Sequence, residues 1–227
     1  MAANSDNPHH SQSSHHAQLP TALPGFEGIN RFWDKRANIS VANIHPGEIY
    51  VTQTHEAITT ILGSCVAACI RDPNTLVGGM NHFMLPDSHP ETAAAPENMS
   101  EAARYGAWAM EYLINAVLKR GGVRHNLEIK IFGGARIISS MTQYNVASKN
   151  VEFICNYLQR EGLPIAGQDL GGEHPRKIIY FPQTGLVKVR ELTRQKEQEV
   201  VDEETQYSRS LNSTSSGNDI EIFGNQK

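Results

Sequence analysis

Apolar residues alternate in some stretches of this chain and recur every three or four positions in others. EIYVTQ (48–53) and AITTILG (57–63) have the alternating or continuous apolar character of strands. SCVAACIRDP follows; it is short, opens on Ser64 as a possible cap and stops before Pro73, which predicts a short helix. VGGMNHFMLP (77–86) alternates between Gly and Pro boundaries, a strand pattern, and SHPETAAAPEN reads as a loop. The clearest helix is EAARYGAWAMEYLINAVLKR (101–120), where Met110, Leu113, Ile114, Val117 and Leu118 share one face. Asn98 paired with Glu101, or Ser100, offers its cap, and Gly121 stands where a left-handed terminating residue belongs.

Beyond that helix, LEIKIFGG alternates through Ile129 and Ile131 and predicts a strand. NVASKNVEFICNYLQREG predicts a second helix with Val151, Ile154, Cys155 and Leu158 on one face, ended by Gly162. RKIIYFP and LVKVREL, joined through QTG, predict an antiparallel pair. Strands grouped around two helices without steady β-α-β alternation point to an α+β sandwich. Residues 1–24, rich in Ser, Asn, Gln and Pro with paired His9, His10, His15 and His16, read as a disordered tail. So do residues 197–227, acidic and then Ser/Asn-rich, with one last apolar cluster at Ile220, Ile222 and Phe223. A single domain over 25–196 is expected between them.

Composition narrows the function classes. Twenty Lys and Arg against 24 Asp and Glu give a net charge of −4, with no basic stripe for nucleic acid. No run approaches the roughly 18 apolar residues of a membrane span, so no membrane insertion is expected. The first residues lack the pattern of a secretory leader, and the chain reads as cytoplasmic. Three cysteines, Cys65, Cys69 and Cys155, are too few for a disulfide scaffold and read as thiols.

Cys65 is the candidate for chemistry. A cysteine is nucleophilic as its thiolate, so a catalytic one needs a lowered pKa and partial exposure. A strand turning through Gly63 and Ser64 into a helix would supply both, with backbone N–H groups near the sulfur and a site for an oxyanion. His82, in the strand-like GGMNHFMLP, can serve as the base, with Thr59 or Thr60 to orient it. The competing readings are a cysteine that merely fills the core, and a zinc set built from Cys65, Cys69, His82 and His89, whose spacing fits neither usual ligand pattern.

Five blocks in register resemble one family. TTILGSCVAACIRDP, GGMNHFMLP, IKIFGGA, NVASKNVEFICNYLQREGLPIAGQDLGG and RKIIYFPQTGLVKV, spanning about Ile49 to Leu192, are similar to the CheD family of chemoreceptor glutamine deamidases. The resemblance implies an α+β fold of two packed mixed or antiparallel sheets with outer helices, shared with glutamine-deamidating toxins. It implies a cysteine-dependent hydrolase that converts glutamine side chains of methyl-accepting chemotaxis receptors to glutamate, without metal or organic cofactor. The site carried over is Cys65 as nucleophile, His82 as base and acid, and Thr59 as the residue orienting the histidine. A CheC-type phosphatase is an implied regulatory partner. Set against this enzyme is a catalytically silent module of the same fold that only binds a chemotaxis phosphatase or receptor.

Overall fold

The computed structural model describes residues 19–85, 101–137, 141–192 and 194–215. The four paired histidines, His89, the loop ahead of the first helix, its caps at Asn98 and Ser100, and the last apolar cluster lie outside the described residues.

Among the described residues, ten strands form two five-stranded sheets. The first sheet contains β1 (Asn30–Asp34), β2 (Ile39–Asn43), β4 (Glu56–Leu62), β9 (Arg176–Phe181) and β10 (Leu186–Glu191), in the order β1-β2-β4-β9-β10. The second contains β3 (Ile49–Thr52), β6 (Gly78–Asn81), β5 (Val66–Arg71), β7 (Glu128–Gly133) and β8 (Ile165–Leu170), paired in that order. Both are mixed: β2–β4 and β7–β8 are parallel, the other pairs antiparallel. Ile58, Leu62, Ile178 and Tyr180 of the first sheet meet Val66, Ile70, Met80, Ile129 and Ile131 of the second in one buried cluster. Helices α1 (Glu101–Leu118) and α2 (Met141–Arg160) pack on the second sheet, and Met110, Leu113, Ile154 and Leu158 join the same core. The fold is therefore the expected α+β sandwich.

Strand alternation assigns the two faces. On β9, Arg176, Ile178 and Tyr180 are buried while Lys177, Ile179 and Phe181 are only partly so. Helix α1 ends as the sequence predicts, with Gly121 at φ +94° and its N–H bonded to the Leu118 carbonyl.

Two elements differ from expectation. SCVAACIRDP is no helix: residues 66–71 are the central strand β5, held between β6 and β7. A short, wholly apolar run fits a buried strand or a helix segment equally well, and burial on both faces among strands decides for the strand. At the other end, Arg194–Ser215 form a helix, α3, where the sequence predicts a mobile tail from 197. Its run of Gln, Lys and Glu favours helix, and Val200, Glu204 and Tyr207 recur at the helical spacing on one face. That stripe is hidden because its central member is a carboxylate.

Glu56, buried in β4, ties the two sheets together. Its carboxylate accepts from Arg31 Nη2 (2.5 Å) and Ser40 Oγ (2.8 Å) in its own sheet, and from the Tyr50 hydroxyl and Thr52 Oγ1 (both 2.8 Å) in the other. Burial pushes its pKa up, but Arg31 and then the hydroxyls outweigh that and hold it below the usual value. Glu56→Ala strands a largely buried guanidinium and four hydroxyls, those of Ser40, Tyr50, Thr52 and Thr54, and is expected to cost about 3–5 kcal/mol of stability, read from the urea midpoint.

Candidate active site

Gly63, Ser64 and Cys65 form the bend that carries the chain from β4 in one sheet to β5 in the other. All three carbonyls are tied down on one side. Gly63 O accepts from Ala135 N (2.7 Å), Cys65 O from Gly134 N (2.7 Å) and Ser64 O from Asn150 Nδ2 (2.8 Å). Gly133 and Gly134 have φ of +106° and +69°, and a Cβ on Gly133 would run into the Cys65 carbonyl, so only glycine permits this approach.

With the carbonyls fixed, the N–H groups point the other way and converge. Gly63 N and Cys65 N donate to Glu204 Oε1 at 3.0 and 3.1 Å, and Ser64 N to Oε2 at 2.9 Å. Ser64 Oγ adds a fourth bond to Oε2 at 2.6 Å. Three successive amides aimed at one point make an anion hole without any helix terminus. The expected helix dipole is absent here because a strand, β5 from Val66, follows Cys65.

His82 follows β6, held through its backbone by Glu48 O (3.0 Å) and Gly47 N (2.8 Å). Its Nδ1 lies 2.8 Å from Thr60 Oγ1, and that hydroxyl lies 2.7 Å from the Ile44 carbonyl, an acceptor only. Thr60 therefore donates to Ile44 and accepts from Nδ1–H, which leaves the lone pair on Nε2. That Nε2 is buried and has no hydrogen-bond partner among the described residues. Burial, then His45, lowers the His82 pKa to about 3, so the ring is neutral at neutral pH.

Thr59, the residue expected to orient the histidine, does not. Its hydroxyl donates to Ile178 O at 2.8 Å, across to β9. Successive strand residues point to opposite faces, and Thr60 shares the inward face of Ile58 and Leu62 that looks toward the second sheet. A one-residue slip in register separates the two assignments. Thr60→Val is expected to lower the turnover number about 10²-fold by freeing the ring, with KM little changed, whereas Thr59→Val should stay near wild type. Steady-state kinetics on the two variants check this.

Cys65 Sγ, an imidazole nitrogen of His82 and a Glu204 carboxylate oxygen lie within 4.8 Å of one another. The expected partial exposure and lowered pKa are not found, since Cys65 is 0% and His82 2% exposed. Burial raises the thiol's pKa well above its ordinary value, and the Glu204 charge and its hydrogen bond to the thiol add to this. The proton sits on sulfur while Glu204 is in place.

Metal chemistry fits poorly. Cys69 lies four residues further along a strand, roughly 13 Å from Cys65, because extended chain rises about 3.3 Å per residue. Glu204, the remaining candidate ligand, faces four hydrogen-bond donors. Two supporting residues carried no role in the sequence reading. Asn150 on α2 bonds both Ser64 O and Leu85 N (both 2.8 Å), and Glu204 comes from the segment read as a tail.

Comparison with known proteins gives the family. The family model described as CheD chemotactic sensory transduction matches residues 84–191. A protein of Saccharophagus degradans named probable chemoreceptor glutamine deamidase CheD is 44% identical over 208 residues, covering 91% of this chain and 95% of its own. Proteins of the same name from Hahella chejuensis (45%; 90% and 95% covered) and Hydrogenovibrio crunogenus (46%; 84% and 97% covered) align similarly. Identity at this level, over nearly the full length of the relatives, leaves one conclusion: the chain belongs to the CheD family.

Proposed function

We propose that this chain is a protein-glutamine deamidase acting on chemoreceptors, with Cys65 as nucleophile and His82 as base and acid. The observation that carries the reading is the meeting of a cysteine and a neutral histidine beside three convergent amides. The names of the relatives support the substrate. His82 Nε2 takes the thiol proton, and the sulfur attacks the glutamine side-chain carbon. The amides of Gly63 and Cys65, which converge on one oxygen position, hold the oxyanion. Protonated His82 then delivers its proton to the departing nitrogen, and ammonia leaves a thioester. Water activated by the same imidazole hydrolyses it to glutamate. Acid–base and acyl-transfer chemistry suffice, with no cofactor in any step. A CheC-type phosphatase, implied by the family resemblance, belongs to this reading as a regulator of the same face. No described helix is long and apolar enough to cross a membrane.

Full-length protein, and Glu204→Ala protein beside it, incubated with receptor cytoplasmic fragments should produce Gln-to-Glu conversion, followed by peptide mass spectrometry. The reading is lost if neither converts any glutamine across several receptors.

A further inference from the structure

Helix α3 enters the site much as another protein's side chain would. Its described surface is mostly polar and exposed, yet Val200 and Glu204 are buried to 4% exposure. Glu204 occupies the donors that the proposed mechanism assigns to substrate. Oε1 lies between the Gly63 and Cys65 amides, where the oxygen of an attacked side chain would stand. Oε2 meets the amide and hydroxyl of Ser64, at the place of the departing nitrogen.

Glutamate is the product side chain of glutamine deamidation. A carboxylate satisfies all four donors, whereas the NH₂ group of a glutamine would face the Ser64 N–H, donor against donor. The hole therefore holds a product-like group more firmly than a substrate-like one. Cys65 exposes no surface, so a side chain of a second protein reaches it only after something moves. The occupant of the anion hole is the element in the way.

We propose that α3 lies in the groove that receives the substrate, with Glu204 in the position of the newly formed glutamate, so that α3 and a glutamine-bearing helix compete for one site. This rests on the deamidase reading. The rim of the groove follows from the contacts of α3. His45 Nδ1 meets Glu203 at 2.8 Å, the Tyr105 and Tyr207 hydroxyls bond each other, and Tyr207 covers Gly47. Because α3 is tethered, its effective concentration at the groove is about millimolar, and a weakly binding partner is kept out. A receptor helix wins by supplying more contacts than these.

The test is E204Q in the full-length chain, alone and combined with Cys65→Ala. If α3 sits as a substrate would, the introduced glutamine is itself deamidated. Cys65 Sγ attacks its side-chain carbon, the C–N bond breaks, ammonia leaves with the His82 proton, and water restores glutamate. Peptide mass spectrometry of the E204Q protein should show the introduced amide lost to a carboxylate, at a rate independent of protein concentration. The amide should persist when Cys65 is alanine. Iodoacetamide should label Cys65 at least about tenfold faster in Glu204→Ala than in wild type. Two results overturn the inference while sparing the deamidase reading: the introduced glutamine keeping its amide in protein that converts receptor fragments, or conversion only between molecules. Equal labelling rates also overturn it. If neither the introduced glutamine nor any receptor glutamine is converted, the enzyme reading fails as well.

Discussion

Replacing Cys65 with alanine is expected to abolish glutamine conversion, a loss of roughly 10⁴-fold or more, while the sandwich stays folded. The magnitude follows from the division of labour in the bend. The three amides and Ser64 Oγ remain after the substitution and can still bind a side chain, but nothing is left to form the thioester. The stability cost is small, about 1 kcal/mol, because a single buried sulfur is removed and the backbone bonds that shape the bend do not involve it. Mass spectrometry of receptor fragments measures the first effect and thermal unfolding the second. A Cys65→Ala protein converting glutamine at more than about 1% of the wild-type rate would remove sulfur from the mechanism.

His82→Gln should lower the rate by about 10²- to 10⁴-fold, the usual contribution of a positioned acid–base group. It also has a signature in stability that a merely structural histidine on the surface would lack. Burial keeps the folded His82 near pKa 3, against the ordinary 6.5. Above pH 6.5 the imidazole is neutral in both folded and unfolded chains and costs nothing. As pH falls from about 6.5 toward about 3, the unfolded chain binds a proton that the folded chain refuses. Folded wild type then loses stability, on the order of 5 kcal/mol at the limit of the window. Glutamine does not titrate, so His82→Gln lacks this part of the decline. Glu56 and the other carboxylates titrate in both proteins and cancel in the difference. Urea titrations at pH 7 and pH 4 give that difference, and parallel losses in the two proteins would show His82 to be solvated.

Much of this was written plainly in the chain. Helices α1 and α2 and the strands at 48–53, 57–63, 128–133 and 176–191 stand where alternation and three-to-four spacing put them. Cys65 and His82, both singled out in the sequence, have side-chain atoms within 4.8 Å of each other. What failed did so for definite reasons. VAACI carries no periodicity, so the pattern could not say that β6 and β7 would flank it. Two adjacent threonines both suit a histidine, and which one faces inward depends on a register fixed by long-range pairing. Strand β8 is mostly exposed, with hardly an apolar face to mark it in the sequence. Glu204 was hardest, since an acidic run ordinarily means a solvated surface, and only the anion hole 140 residues earlier gives this one a partner.

Sulfur and imidazole share one foundation. Val66 and Phe83, the residues after Cys65 and His82, exchange backbone hydrogen bonds at 3.0 and 2.9 Å, and Asn150 of α2 holds Ser64 O on one side and Leu85 N on the other. Warming that loosens α2 therefore releases nucleophile and base together, so enzymatic output should fade before the sandwich itself melts.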